Sequence, residues 1–496
     1  MTCLHRIACG TIGWIDISIT AAAIAMLFAI SYVFGRDEND TRDFFLGSRK
    51  IPPWAACLSF VATEVSALTI VGVPATAYSE NWQYLQFFIG SAAARLAVCF
   101  LFIPVFYQYQ CTSIYEYLRH RFGAQTQYAG SVFFFITRLI ASGVRLYAAC
   151  MGVGIIMGWT LEASVVLFTI VSIVFIAIGG IKAVVWAGAY QAVVFFAAGG
   201  VLLAYLLYRI EGPFAAALQM AADAGRLSIF DFSFELNRPT SFWAGSINAF
   251  FVGLAVFGTD QEMVQRLLTV ENRQKSQRAL FMTLSAALPL LCLYLAIGTG
   301  LYIFYQQHPD IPAPAQAKEV LSHFIRLSLP AGLKGLLLAA IILASIDSPL
   351  SSLAASFVSD FYRPVLAKNA SERHYLTVSR TGVVLFGLIL GIIALACRPV
   401  ENILWFAFQI FSITGGAILG VFLLGTLTKI QANYSNIAAM IITAASMTVL
   451  LLLKHFEKIG LAWSWLIVVG TVQTMLLACL FSRLGAVLFT AGRAGR

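Results

Sequence analysis

Residues 58–74 read LSFVATEVSALTIVGVP, and residues 336–357 read LLLAAIILASIDSPLSSLAASF. Each stretch is mostly apolar but carries small and polar residues near its middle, around Glu64 in the first and Asp347 in the second. A carboxylate in the middle of a membrane span is costly unless it is paired, hydrated or bound to a cation. The neighbouring Ser, Gly and Pro residues favour an interrupted helix whose carbonyls line a cavity shielded from lipid. The two stretches therefore predict a functional site near the bilayer midplane.

The rest of the chain is also apolar. Of its 496 residues, 60% are hydrophobic and 11% are charged, which excludes a water-exposed globular surface. We count about thirteen continuous apolar windows that are long enough to cross a bilayer. Their continuity excludes a transmembrane β-barrel, whose strands alternate in short segments. We therefore predict an all-α integral membrane protein with about thirteen transmembrane helices, embedded in the lipid bilayer.

The distribution of Lys and Arg indicates the membrane topology of the chain and not a nucleic-acid partner. The net charge is +9, but Lys and Arg are scattered through short loops, so we expect no nucleic-acid binding. The positive-inside bias of these loops predicts a multi-pass protein of a bacterial-type inner (plasma) membrane, with the N-terminus outside and the C-terminus cytoplasmic. The first apolar stretch, residues 12–35, is too long for a signal peptide and is predicted to be retained. The sequence indicates nothing about oligomeric state.

Cysteine and histidine indicate no metal or catalytic centre. The nine Cys form no CxxC pair, and the six His show neither HExxH nor Cys/His ligand spacing. No nucleophile, base and orienting partner converge in the sequence. We therefore predict that the protein is not an enzyme.

Several segments, taken in chain order, resemble the sodium:solute symporter family, which includes the sodium/glucose, proline, sialic acid and iodide transporters. They are residues 43–78 (DFFLGSRKIPPWAACLSFVATEVSALTIVGVPATAY), 113–123 (SIYEYLRHRFG), 179–186 (GGIKAVVW) with Gln191, 259–268 (TDQEMVQRLL), 351–362 (SSLAASFVSDFY) and 416–429 (GAILGVFLLGTLTK). Each segment alone is a weak signal, but together they are specific.

The resemblance implies the LeuT-type fold, with two inverted five-helix repeats whose first helices are broken near the midplane. Within a single transporter domain of residues 1–496, repeat 1 would span 54–210 and repeat 2 would span 242–429. An extra N-terminal helix would occupy 12–35, and two C-terminal helices would occupy 434–485. The implied function is secondary active symport, in which inward sodium movement drives uptake of a small organic solute by alternating access.

By the same resemblance, the main sodium site uses the carbonyls of Ala62, Val65 and Ile341 and the side chains at positions 344 and 345. Sodium prefers about five hard oxygen ligands. Ser345 supplies a hydroxyl, but Ala344 replaces the usual Ser or Thr. One ligand is therefore missing unless water or a neighbouring side chain replaces it. The alternative is a polar patch that only packs helices closely.

Many members of the family build a second cation site around an Asp in the sixth span. Here the corresponding motif reads Trp186, Ala187 and Gly188, so the carboxylate is absent. Asp347, followed by Ser348, stands where the facing helix usually carries Ser or Thr. We hypothesise that the negative charge moved between helices and that Asp347 and Ser348 bind a second cation or a proton. The alternative is an ion pair with an intramembrane Arg.

The resemblance also implies a solute site lined by Glu64, Ser66, Thr69, Tyr84 and Phe88. The hydroxyls of Ser66 and Thr69 are suited to sugar or carboxylate oxygens. Phe88 stands where the sialic acid branch has Gln, which argues against sialic acid. Glu64 would tune the ion site, bind an ammonium group or form a structural ion pair.

The fourth span places Arg138, Ser142 and Arg145 on one helical face. Two hypotheses remain open for its arginines. Either one of them contacts an anionic solute, or both are structural partners of Glu64, Asp347 or backbone carbonyls.

The leading hypothesis is sodium-coupled symport of a sugar, sugar acid, monocarboxylate or similar solute. One alternative is a proton-coupled symporter of the same fold. Another is a transporter-like sensor that binds solute without moving it, although no signalling domain is expected after the last span.

Overall fold

The computed structural model describes residues 12–35, 45–111, 113–178, 180–346, 349–400 and 403–494. Within these ranges every regular element is helical, as predicted. The α-helices in chain order are α1 Trp14–Gly35, α2 Pro53–Glu64, α3 Ala67–Ser79, α4 Gln86–Leu101, α5 Ile103–Gln108, α6 Ile114–Arg121, α7 Ala124–Met157, α8 Leu161–Ile178, α9 Ile181–Arg209, α10 Phe214–Asp223, α11 Phe242–Thr259, α12 Gln261–Leu268, α13 Arg273–Gln307, α14 Val320–Ser328, α15 Leu333–Leu343, α16 Pro349–Ser356, α17 Glu372–Ala396, α18 Ile403–Leu427, α19 Asn433–His455 and α20 Leu466–Ala494. A π-helical segment, Phe357–Leu366, continues α16.

Half of these helices have the length and hydropathy of membrane spans. In the described ranges 10 helices qualify, or 11 if the bent pair α2 and α3 counts as one span. Two further apolar helices are shorter, Leu161–Ile176 within α8 and the whole of α15. By this criterion the number of spans is lower than the prediction, and the difference falls on these two helices. α15 is short because the helix ends at Leu343, just before the polar residues in the middle of stretch 336–357.

The first of the two stretches, residues 58–74, interrupts its membrane span. α2 ends at Glu64, Val65 takes a non-helical conformation (φ −89°, ψ 76°), and Ser66 is extended (φ −83°, ψ 178°). The two halves of the pair meet at 54°. The break therefore lies beside Glu64, where the cost of a buried carboxylate predicts it.

The chain is interrupted at two further places. α11 and α12 are separated by the extended residue Asp260 (φ −103°, ψ 120°). These helices open the predicted second repeat, so this break corresponds to the one after α2. In the second stretch, residues 336–357, helix α15 ends at Leu343 and helix α16 begins at Pro349. Asp347 and Ser348 lie outside the described residues. The division into two repeats stays a prediction.

Small residues set the closest helix crossings. A Cβ on Gly90 of α4 would lie 1.9 Å from the carbonyl oxygen of Ser246 on α11, so only glycine allows this approach. Close backbone contact at small residues is the usual way in which membrane helices pack. The crossing fixes α4 against α11, and both helices contribute walls to the cavity described below.

Candidate functional site

A cavity of about 220 Å³ lies beside the break between α2 and α3. It collects residues from helices that are far apart in sequence, including α4, α7, α11, α13 and α18. Among its lining residues are these predicted solute-binding residues: Glu64, Ser66, Thr69, Tyr84, Phe88 and Arg145. Arg138 is not among them. The roles of these residues in binding stay predictions, but the structure brings six of the seven to one cavity.

Arg95 of α4 is the ion-pair partner of Glu64. Its Nη2 donates to Glu64 Oε1 (2.6 Å) and also contacts Oε2. The Arg95 side chain is fully buried, whereas Glu64 is 27% exposed. Arg95 also donates to Thr283 Oγ1 (3.0 Å) and to Ser91 Oγ, and its guanidinium lies 4.3 Å from the Phe257 ring centroid. The charge of Glu64 is therefore compensated by a rigidly held guanidinium, so Glu64 contributes little net charge to the cavity.

The sequence alone does not pair Arg95 with Glu64. The i, i+4 spacing of Ser91 and Arg95 places them on one face of α4, and Phe88 precedes Ser91 by three residues on the same face. This spacing was the available signal. It shows which face is polar but not which carboxylate that face meets.

The remaining walls of the cavity are largely apolar. Its side chains from α4, α11, α12, α13 and α18 include Phe87, Phe88, Val252, Val256, Phe257, Met263, Leu291, Phe408 and Phe411. Two tryptophans lie behind the aromatic side chains, with Phe87 and Trp405 ring centroids 5.7 Å apart and Phe408 and Trp463 centroids 5.8 Å apart. The cavity thus has a polar region at the α2–α3 break and an extended aromatic surface.

Arg138 takes part in a buried ion-pair cluster with α12 instead of the cavity. Its guanidinium lies 2.5 Å from Asp260 Oδ1 and 2.6 Å from Glu262 Oε2, and all three side chains are at most 7% exposed. Arg266, one turn after Glu262, donates to Ser59 Oγ on α2 (3.1 Å). Every residue of α12 is buried. From α12, Met263 reaches the wall of the cavity.

The α2–α3 break is suited to a hard cation. In a continuous helix the amide of Thr69 would donate to Val65, but it donates to the Ser66 carbonyl instead (2.9 Å). The Val65 carbonyl is thereby released from its usual helical donor. Ala62 lies in the last turn of the same half-helix and is buried. Both predicted carbonyl ligands of this break are therefore at a helix end that faces protein and not lipid.

The interval between α15 and α16, called the α15 break below, shows a similar change in backbone hydrogen bonding. The amide of Ser345 donates to Ile342 (3.0 Å), whereas the Ile341 carbonyl accepts the Ser345 hydroxyl (2.7 Å). The hydroxyl donates its proton there and keeps its lone pairs for a cation. Ala344 brings no oxygen. The residues present fit sodium with three carbonyls and one hydroxyl, which is one oxygen fewer than the usual set.

At Gly188, where many family members have Asp, two helices cross closely. A Cβ on Gly188 would lie 2.5 Å from Ser59 Oγ and 3.0 Å from the Ser59 Cα, so a carboxylate at position 188 would require α9 and α2 to separate. One turn later, the Gln191 amide donates to the carbonyls of Leu343 (2.8 Å) and Ile346 (3.2 Å). The hypothesis of a second cation or proton site at Asp347 and Ser348 stays a prediction.

The sequence model of the sodium:solute symporter family matches residues 44–443. The chain belongs to this family. The sodium/sialic acid symporter NanT of Aliivibrio fischeri is 30% identical over 459 residues, covering 89% of this chain and 87% of that protein. Sodium-coupled monocarboxylate transporter 2 of Bos taurus is 28% identical over 455 residues, covering 89% of this chain and 71% of the relative.

A solved structure confirms the fold of this sodium:solute symporter. The structure of a Na+-coupled sialic acid symporter in a substrate-bound outward-open state superposes with a TM-score of 0.86 and 23% sequence identity, covering 95% of this chain and 98% of the other. The predicted LeuT-type fold and the predicted function are therefore confirmed: the chain is a multi-pass membrane protein and a sodium-coupled symporter of a small organic solute, not an enzyme.

Proposed function

We propose that this symporter carries a small monocarboxylate inward together with sodium. The observation that carries the proposal is the cavity itself, which presents Arg145 together with an extended aromatic surface. A guanidinium is the side chain best suited to a carboxylate, and the aromatic walls suit an apolar tail. The relative from Bos taurus is, by its name, a monocarboxylate transporter, which supports the same solute class.

A sugar acid is the second candidate, because the relative from Aliivibrio fischeri is by its name a sialic acid symporter. Part of the polar lining is already paired within the protein, which leaves mainly the hydroxyls of Ser66, Thr69 and Tyr84 to meet the hydroxyls of a solute. Both oxygens of Glu64 contact Arg95, Ser91 accepts from the same guanidinium, and Phe88 is apolar. Each polar group that is buried without a partner costs about 1–3 kcal/mol, so a polyhydroxylated solute is disfavoured.

Sodium is proposed to bind between the α2–α3 break and the α15 break, at the carbonyls of Ala62, Val65 and Ile341 and the hydroxyl of Ser345. The membrane is proposed to be the bacterial-type inner membrane, with the N-terminus outside, from the positive-inside bias of the loops. Bacterial relatives such as the Aliivibrio fischeri symporter support this location.

A series of straight-chain acids tests the solute class. Binding is expected to tighten about fourfold with each added methylene, from acetate until the cavity is full, because each buried methylene contributes about 0.8 kcal/mol. Solute affinity is measured from the rise in melting temperature at saturating sodium, and uptake into proteoliposomes is measured in parallel. The matched neutral alcohols serve as the control and should neither bind nor be transported. Tighter binding of sialic acid than of butyrate would contradict the proposal.

The Ser345→Ala variant tests the sodium site. Without the Ser345 hydroxyl, the sodium ion loses one of its ligands. Sodium binding is therefore expected to weaken at least about tenfold, which corresponds to about 1.5 kcal/mol. The readout is the sodium concentration at half-maximal stabilisation of the purified protein, titrated in choline chloride. Ser352→Ala is the matched control, since the Ser352 hydroxyl donates to Pro349 of its own helix (3.1 Å). Equal sodium affinity in both variants would remove Ser345 from the site.

A further inference from the structure

A second, smaller cavity of about 30 Å³ lies between α7, α8, α17 and the α15 break. Its lining includes Ala344 and Ser345, which the proposed sodium site also uses, and the hydroxyl-bearing residues Ser142, Thr169 and Ser172. Arg145 lines both this cavity and the central one. The small cavity is therefore next to the position at which Ala344 lacks an oxygen.

Two hydroxyls of this cavity belong to a group of buried hydroxyls, which also includes those of Ser322 and Ser356, that have no hydrogen-bond partner among the described residues. Other buried hydroxyls on the helices around the cavity donate to the carbonyl four residues earlier, as Thr137 does to Phe133 (2.7 Å) and Ser379 to Tyr375 (2.9 Å). Ser142 Oγ and Thr169 Oγ1 have no hydrogen-bond partner among the described residues, although the two residues are only 3% and 8% exposed. Buried polar groups of this kind are normally satisfied, often by an ordered water.

The size and chemistry of the cavity suit water. A volume of about 30 Å³ has room for at least one water molecule, which requires two to four polar partners. A water bound to sodium directs a lone pair at the ion and both hydrogens at acceptors, and hydroxyl oxygens are acceptors.

We propose that a water held by Ser142 and Thr169 supplies the sodium ligand that Ala344 lacks. Waters commonly complete the oxygen shells of hard cations. The arrangement replaces a direct side-chain ligand by a water whose orientation is set from α7 and α8. It rests on the proposed sodium site, and it makes sodium affinity depend on two residues that do not contact the ion.

A mutant cycle tests the proposal by sodium binding to the purified protein. The four proteins are the wild type, the Ser142→Ala/Thr169→Val variant, Ala344→Ser, and the combination of all three substitutions. The first variant is expected to lower sodium affinity about tenfold. In the Ala344→Ser background, a serine hydroxyl occupies the ligand position directly, so the water is no longer needed. There the Ser142→Ala/Thr169→Val substitutions are expected to change sodium affinity less than about twofold.

Sodium affinity is read from thermal stability titrated with sodium gluconate and from equilibrium binding of radioactive sodium. Ser379→Ala is the control for loss of a buried hydroxyl. Each single substitution, Ser142→Ala and Thr169→Val, is measured as well, so that the result does not depend on folding of the double variant. Without sodium, neither substitution should change the melting temperature much, because neither hydroxyl has a hydrogen-bond partner among the described residues.

The outcomes separate this inference from the proposed function. Equal losses of sodium affinity in the two backgrounds, or no loss in either, would overturn the bridging water while leaving the sodium site intact. Stabilisation that requires chloride and is absent in gluconate would assign the cavity to an anion and also overturn it. A wild type that binds no sodium, or a Ser345→Ala variant with unchanged affinity, would refute the proposed sodium site itself.

Discussion

The Arg145→Gln variant is expected to bind butyrate about 10- to 100-fold more weakly than the wild type at saturating sodium. Glutamine keeps much of the side-chain length but removes the charge, and a hydrogen bond to a charged group contributes about 1.5–3 kcal/mol. The affinity is measured by solute-dependent thermal stabilisation. Sodium affinity should stay within about twofold, because Arg145 is not one of the proposed ligands.

Arg380→Gln is the control, since Arg380 is an exposed arginine on α17. Arg145→Lys adds a second comparison, because it keeps the charge but loses the bidentate geometry, and should fall between the wild type and the glutamine variant. Butyrate affinity that is unchanged in Arg145→Gln would place the carboxylate elsewhere. A fall in melting temperature without a change in solute affinity would favour the structural hypothesis for this arginine.

The fold was predictable from the sequence because membrane burial makes polar residues costly. Hydropathy located the helices, and the cost of Glu64 inside a span located the first break. The resemblance implied a broken first helix in the second repeat, but it did not place the break at Asp260. The segment TDQEMVQRLL is polar, yet every residue of α12 is buried. Its charges are tolerated because Arg138 meets them, and that contact joins residues more than 100 positions apart.

The candidate site was predictable in its location but less so in its partners. The α2–α3 segment lines the cavity, where the resemblance implies a solute site, and Arg145 lines the same cavity. The partner of Glu64 depends on how α4 is rotated about its axis, which spacing alone does not determine. Phe408 and Phe411 were missed for another reason. An aromatic side chain in a membrane helix has the same sequence signature whether it faces lipid, core or cavity.

The Arg138→Gln variant is expected to lose about 3–5 kcal/mol of stability, because it removes the guanidinium that pairs with the buried carboxylates of Asp260 and Glu262. Asp260 and Glu262 are 7% and 0% exposed in their side chains, so water does not screen the loss. The measurement is the melting temperature of the purified protein without solute. Arg145→Gln is the matched comparison on the same helix, and its melting temperature should change much less.

The double variant Arg138→Gln/Asp260→Asn separates charge from packing. It removes one buried charge of each sign, and Glu262 keeps Arg266 as an ion-pair partner (3.9 Å). This variant should recover most of the stability lost in Arg138→Gln, since the large cost comes from an unpaired buried charge and not from the absence of the pair itself. A double variant as unstable as Arg138→Gln would mean that the arginine acts through its packing, and that the cluster stabilises α12 by shape and not by charge.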